Sequence, residues 1–281
     1  VNDLLLFLFS IKVAFCTCHA ENKRSGFRSG RQQYAVRRVG RLASAVNESS
    51  GLVHRPARNT FWTHNDSGGR PVLYEVTPEG ALVDSLPLAG LTNVDWEALA
   101  HQDSTTLFIG DIGNNSNTRR DLAIHRLSLA SPARSETIRF HYAGQSAFPP
   151  PIKDLNFDSE ALFFRHDSLF LLSKNRSWPR RRVNLYGMPA RAGQYALVPA
   201  DSVFIKSMVT DADLSPDGQT LAVLTYGKVL LFKVVVGQSA LRYPQQCLRI
   251  PRGQTEGISF VNNTDFVLTN ERGRVYLVRR K

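Results

Sequence analysis

The chain of 281 residues has few crosslinking or soft-metal residues: three cysteines, two methionines and seven histidines. Cys16 and Cys18 stand near the start and only Cys247 in the body, so a chain processed after Ala20 keeps one thiol. No internal disulfide framework is expected. The histidines, His64 and His125 included, show no metal-ligand spacing. No G-x-S-x-G elbow, P-loop, G-x-G-x-x-G or H-E-x-x-H occurs. Serine-elbow hydrolases, P-loop enzymes, dinucleotide dehydrogenases and zincins are therefore disfavoured. From residue 34 onward helical periodicity is almost absent as well. Long apolar runs are missing except at residues 4–15, and that one is too short for a membrane span.

This run has the length of a secretory h-region, and Cys18-His19-Ala20 ends in a small residue before Glu21-Asn22-Lys23. Residues 1–20 read as a signal peptide, of lipoprotein type where Cys16 or Cys18 is lipidated. Residues 21–33 read as a basic linker and 34–281 as one domain. The expected location is extracytoplasmic: periplasmic, outer-membrane lipoprotein or secreted, with the membrane met only through such an anchor. Net charge is +11. Lys23, Arg24, Arg28, Arg31, Arg37, Arg38 and Arg41 face only Glu21 in this early stretch. Such an arm suits lipid headgroups, envelope polymers or nucleic acid. A solvated leader to the first strand accounts for it more simply. With no recognition helix or interleaved aromatic and basic residues following, nucleic acid is set aside as a partner.

What the body does have is a repeat of short β-rich runs between Gly, Pro, Asn and Asp turns. Five segments align: Ser49-Ser50-Gly51-Leu52-Val53, Trp96-Glu97-Ala98-Leu99-Ala100, Ser159-Glu160-Ala161-Leu162-Phe163, Asp211-Ala212-Asp213-Leu214-Ser215 and Thr255-Glu256-Gly257-Ile258-Ser259. Their central residues lie 47, 63, 52 and 44 positions apart, the length of a four-stranded propeller blade. The last unit lacks a fourth strand, and residues 34–42 supply a spare one ahead of the first unit. The predicted fold is all-β: a five-bladed antiparallel propeller closed by that N-terminal strand. A sixth blade is open if the long second unit, with Phe148-Pro149-Pro150-Pro151, hides one. Ser215-Pro216-Asp217-Gly218 reads as a structural hairpin turn on the opposite face.

In a propeller the head of each first strand and the tail of each second strand open on one face. That rule gathers Glu48, Ser50, Asn65 and Asp66 from the first unit, and Asp95, Glu97, Asp111 and Asn114 from the second. The third adds Asp158, Glu160, Lys174 and Asn175; the fourth Asp211, Asp213 and Tyr226; the fifth Glu256, Asn270 and Glu271. A ring of oxygen donors suits a hard cation, Ca²⁺ being the expected one. Glu97, Asp111, Glu160 and Glu256 are the candidate metal ligands. Asn65, Asp66, Arg119, Lys174, Asn175, Tyr226, Asn270 and Glu271 are the candidate ligand-binding residues. The plain alternative is that they accept backbone N–H groups and staple the blades. Arg70, Arg119, Arg120, Arg176, Arg180 to Arg182, Lys228 and Arg272 form a cationic rim fit for an anionic ligand. Asp111–Asn117 has Leu122 where an EF-hand needs its closing Glu, so it is no EF-hand.

Glu48-Ser49-Ser50-Gly51-Leu52, residues 61–69, and Leu73-Tyr74-Glu75 followed by Gly80 resemble the opening of bacterial exported propellers of the SdiA-regulated family. Glu256-Gly257-Ile258 and Thr269-Asn270-Glu271 are similar to phrases of the esterase-like phytase propellers. The resemblance covers most of residues 45–281 through short motifs, and implies a propeller, often with an axial metal. Strand order and blade count also resemble the calcium-activated nucleotidases, whose five blades surround one Ca²⁺. There Asp95-Trp96-Glu97 is only loosely similar and the wider substrate motifs are missing. Two functional classes follow. One is a monomeric propeller holding a small anionic ligand or envelope component on an acidic, Ca²⁺-competent axial face. The alternative is a metal-dependent hydrolase of phosphate or carboxylic esters. No residue set compels a nucleophile or base, which favours binding.

Overall fold

The computed structural model describes residues 18–132, 134–178 and 182–281. The early apolar run, Cys16, Arg180 and Arg181 lie outside the described residues. The described chain opens with helix α1 (His19–Ser25), strand β1 (Arg28–Ser29) and strand β2 (Tyr34–Arg41). Blade one follows as β3 (Ser49–Arg55), β4 (Thr60–Asn65), β5 (Val72–Val76) and β6 (Leu82–Pro87). Blade two is β7 (Trp96–His101), β8 (Thr106–Asp111), β9 (Ala123–Ser128) and β10 (Ser135–Tyr142). Blade three is β11 (Ser159–Arg165), β12 (Ser168–Ser173), β13 (Arg182–Pro189) and β15 (Asp201–Phe204). The intervening β14 (Gly193–Leu197) turns back to pair in parallel with β10 of blade two. Blade four is β16 (Val209–Leu214), β17 (Thr220–Thr225), β18 (Lys228–Lys233) and β19 (Tyr243–Arg249). Blade five is β20 (Thr255–Phe260), β21 (Phe266–Asn270) and β22 (Arg274–Arg280), with β2 as its outer strand.

Patterning explains which strand goes where. In β10 buried Ile138, Phe140 and Tyr142 alternate with the exposed Glu136, Arg139 and His141, as an outer strand with one wet face requires. Second strands such as β8 are buried along their whole length and carry unbroken apolar runs, Leu107-Phe108-Ile109 here. Apolar clusters fill the spaces between adjacent blades, for example Phe108, Ile124, Leu162, Leu171 and Tyr186 between blades two and three.

Ring closure is as the spare strand predicts: Tyr34 pairs with Arg280, Val36 with Val278 and Arg41 with Arg274, antiparallel. The inner strands β3, β7, β11, β16 and β20 touch in a closed cycle. Five blades account for all the described sheets. No sixth is hidden in the second unit: its extra length is the 143–158 connection, which holds a single 3-10 turn at Ile152–Asp154.

Two expectations are corrected. The repeat alignment slips by one residue in blade one and by two in blade four. Every inner strand has a β-bulge near its head, and the extra residues are Gly51, Glu97, Glu160, Thr210 and Glu256. Asp211 and Asp213 therefore do not stand where Glu97 stands. Secondly, Cys18 and Cys247 are disulfide-bonded across 229 residues, so an internal crosslink exists. Residues 18–30 pack on blade four: β1 pairs in parallel with β19, and Phe27 sets its ring edge-on to Phe232 at 5.0 Å. Glu21 and Lys228, both fully buried, pair at 2.7 Å. Glu21 also accepts the Lys206 N–H at 2.9 Å. Lys228, expected on the cationic rim, is buried beneath α1 instead.

A crosslink spanning so much of the chain restricts the unfolded ensemble strongly. Cys247→Ser is expected to lower the unfolding free energy by about 2–5 kcal/mol. Guanidinium titrations of the variant and of reduced wild type should give the same loss; unchanged midpoints would show that the crosslink contributes nothing.

Candidate functional site

The bulge shapes the axial face. An extra residue at the head of an inner strand bends the backbone and re-aims one side chain. In blades two, three and five that residue is Glu, and all three carboxyls meet at the mouth of the axis. Blade one has Gly51 there, at φ +69°, where a Cβ would lie 2.7 Å from the Leu99 nitrogen of blade two. Blade four has Thr210, whose hydroxyl donates to the Thr255 carbonyl at 2.7 Å.

A second tier of acids comes from the strand tails and entry loops. Asp66 follows β4, Asp95 precedes β7 and Glu271 follows β21, all half-buried where the bulge glutamates are buried. One carboxylate oxygen each from Asp66, Asp95 and Glu97 lie within 4.8 Å of one another, as do those of Asp66, Glu256 and Glu271. Asp66 belongs to both trios. The approach depends on Gly113, where a Cβ would fall 2.3 Å from Asp95 Oδ2 and 2.8 Å from Glu97 Oε1.

Facing these acids is the ammonium of Lys174, at the end of β12. It is ion-paired with Glu160 and donates to the Tyr226 hydroxyl at 3.2 Å. Tyr226 in turn donates to Glu256 Oε1 at 2.9 Å. This chain ties blades three, four and five together at the axis. Burial disfavours the ammonium, but Glu160, Tyr226 and Glu256 more than offset it and hold Lys174 well above the usual lysine range.

The carboxyls are pushed the other way. Burial, with Glu160 and Asp66 nearby, raises Glu97 well above the usual range. Burial and then Asp66 lift Asp95 to about 6. Burial lifts Glu256 to about 8, against the pull of Lys174, and Glu271 to about 7. Asp66 is raised by burial too. Without a further cation, several of these groups hold protons at neutral pH.

Other expected site residues are spoken for. Asp111 pairs with Arg119 at 2.8 Å, and accepts the Asp95 N–H at 3.2 Å; it is not in either trio. Arg119 further binds Asp121 and the Gly113 carbonyl. Asp158 accepts Asn114 N–H and pairs with Arg176 at 2.7 Å. Asp211 and Asp213 accept the N–H groups of Ile258 and Phe260, each at 2.8 Å, stapling blade four to the open edge of β20. Asn65 accepts Glu48 N–H, Asn175 accepts Ser177 N–H, and Asn270 accepts Arg274 N–H. Asn175 and Asn270 hold local turns, and Asn65 ties the entry to β3 to the end of β4. His64 is buried and neutral, lowered by burial to about 4, its Nδ1 donating to the Asn65 carbonyl at 2.9 Å. A separate cavity of about 580 Å³ is lined by Lys153, Asp154, Phe157, Asn175 and Arg182 and by none of the acids of the two trios.

Three residues carry more than the sequence indicated. Asp95 was placed on this face but not among the metal ligands. Asp66 and Glu271 were assigned to ligand binding, yet each shares a trio with bulge glutamates. Their common signal is position: each sits one residue outside a strand end.

No protein family's sequence profile matches the chain, and no curated protein matches it. Its backbone is similar to solved propellers at low identity. One is a putative gluconolactonase, TM-score 0.52 at 10% identity, covering 91% of this chain and 94% of that one. Another is a luciferin-regenerating enzyme, TM-score 0.51 at 10% identity, covering 87% of this chain and 95% of that one. The likeness establishes the β-propeller fold.

Raised carboxyl values carry a sign for stability. Folding favours the protonated form, so that stabilisation is complete below the ordinary 4.5 and is lost as pH rises through about 7 to 8. In chelator, Tm is expected to fall between pH 5 and pH 8. Glu256→Gln with Glu271→Gln should flatten the fall, keeping size and hydrogen bonds without the charge. A Tm that rises over that interval in wild type would contradict the geometry.

Proposed function

We propose that the protein binds a divalent cation, Ca²⁺ by donor chemistry, at the axial mouth, and through it a small anionic ligand. The observation that carries this reading is the pair of acidic trios sharing Asp66. The donors are hard carboxylate oxygens, as Ca²⁺ prefers. The backbone makes room for two of them through Gly113. Glu160 Oε2, buried with no hydrogen-bond partner, adds a further uncommitted acceptor.

Asp66, Asp95 and Glu97 would hold the ion on one side, and Glu256 and Glu271 with Asp66 on the other. When bound, the cation supplies positive charge that a phosphate or carboxylate can approach. Lys174 stays with Glu160 and Tyr226, so it fixes the inner wall and leaves the mouth to the ion. Arg70 and Arg272 remain exposed at the rim, while Arg119 and Arg176 are committed to Asp111 and Asp158. The recognition of an anion therefore depends more on the ion than on the rim.

The hydrolytic alternative has one observation in its favour. Lys174, Tyr226 and Glu256 form a hydrogen-bonded line of proton carriers ending among the acids, which could hand a proton to a leaving group. Chromogenic phosphate and carboxylate esters, assayed with Ca²⁺ and with chelator, decide it. Turnover lost in chelator establishes hydrolysis; none leaves binding.

A cation that binds only the folded state stabilises it by about 2.7 kcal/mol at a hundredfold excess over Kd. Millimolar Ca²⁺ should raise Tm in wild type and leave Asp66→Asn unmoved. Because the ligands must lose protons, Ca²⁺ affinity should increase from pH 6 to pH 8, with proton release seen by calorimetry in buffers of different ionisation enthalpy. If Ca²⁺ moves wild type nowhere in that range, the acids are staples and the reading fails.

A further inference from the structure

We propose that the outer wall of blades four and five is a docking surface for an anionic lipid bilayer. The argument starts from what the fold does to the early basic stretch. Between residues 19 and 41 the single acid is Glu21, and the fold buries it completely against Lys228. What remains on the surface is positive: Lys23 and Arg24 on α1, Arg24 lying over Phe204 of blade three at 4.7 Å, then Arg28 and Arg31 along blade four and Arg37 and Arg38 on β2, all exposed.

The far end of the chain extends this band. The register of β2 on β22 sets Tyr34 beside Arg280 and Ala35 beside Arg279, so exposed Arg279, Arg280 and Lys281 join the same wall. Asp265, mostly covered and 3.6 Å from Arg279, offsets one of these charges. Glu79, whose carbonyl accepts the Arg41 N–H, marks the border toward blade one. Cations distant in sequence are thus gathered on β1, β2 and β22 at the outer part of two neighbouring blades.

A lipid surface fits better than a nucleic acid. Its one helix, α1, has only seven residues and packs on the fold, Tyr34 packs against Phe266 at 6.2 Å, and Tyr243 is a single exposed ring, so no recognition helix or row of rings is presented for base stacking. Clustered surface lysines and arginines are attracted to the anionic headgroups of such a bilayer. Among the described residues no helix is long and apolar enough to cross a membrane, so the described fold would meet the bilayer from outside. β1 and β2 are the outermost strands of blades four and five, so docking there leaves uncovered the acidic mouth made by the innermost strands.

The test uses the 281-residue chain in sedimentation with vesicles of phosphatidylcholine alone, or mixed with phosphatidylglycerol. Binding to the mixed vesicles that falls with salt is expected. Arg37→Glu, Arg38→Glu, Arg280→Glu and Lys281→Glu together should weaken it by about 100-fold or more. Lys153→Glu with Arg191→Glu, exposed on blades two and three, should leave it unchanged. If the fourfold variant fails to fold by circular dichroism, Arg37→Gln with Arg38→Gln should still give about a tenfold loss. Equal binding to neutral vesicles, or undiminished binding by the folded wall variants, overturns the proposal. So does displacement from vesicles by duplex DNA at equal phosphate concentration, which would make the wall a nucleic-acid surface.

Discussion

The structure depends on how like charges are kept together at the propeller axis. Glu97, Glu160 and Glu256 are turned inward by the same backbone irregularity, and the loop acids Asp66, Asp95 and Glu271 crowd above them. Six carboxyls in such a space repel one another and lose hydration. The ammonium of Lys174 relieves the inner tier, because it touches Glu160 directly and reaches Glu256 through Tyr226. Removing one partner of a buried pair like this strands a charge in low dielectric. The axis is therefore both a joint between three blades and a reservoir of uncompensated acidity. Among the described residues no salt bridge joins the outer tier to such a cation, so the unrelieved charge lies at the mouth and not at depth.

The ring that makes this possible is closed twice. The backbone ladder of β2 on β22 leaves blade five no open edge toward the last strand, and the disulfide with β1 anchors the start of the chain to blade four. These closures are neighbours on the same side. The inner strands still present unpaired N–H groups toward the adjacent blade. Asp211 and Asp213 answer two of them on β20, and Ser259 accepts the His54 N–H of blade one at 2.9 Å. Some acids of the axial set are thus structural in the plain sense.

Much of this was legible in the sequence. The repeat of short strands, the spare strand at residues 34–42 and the glutamate heading three inner strands follow from period-2 patterning and turn residues. Those features are local, so a single chain displays them. The bulge was not legible. An inserted residue shifts facing by one without altering composition, and it moved Gly51 and Thr210 into the positions equivalent to Glu97. The disulfide was missed because Cys18 follows a stretch that resembles a leader, and its partner is 229 residues away. Lys228 was misplaced for a related reason: its partner Glu21 lies outside the repeat, so no periodicity announces the pair. Asp111 has the residue type and position of a metal ligand, but Arg119, eight residues along, folds back and pairs with it.

Charge is separated across the molecule in a way the net value conceals. Protonatable acids collect at the end of the axis, and arginines collect on the wall built by the two chain ends. The outermost strands of two blades carry one of these surfaces and the heads of the innermost strands the other, so the two are kept apart within the fold. A field that draws the wall toward an anionic surface repels the mouth from it. The two functions proposed for this chain are thus compatible without any conformational change. A protein held by its wall keeps its acidic mouth in the aqueous layer, where a divalent cation and a small anion can reach it by diffusion.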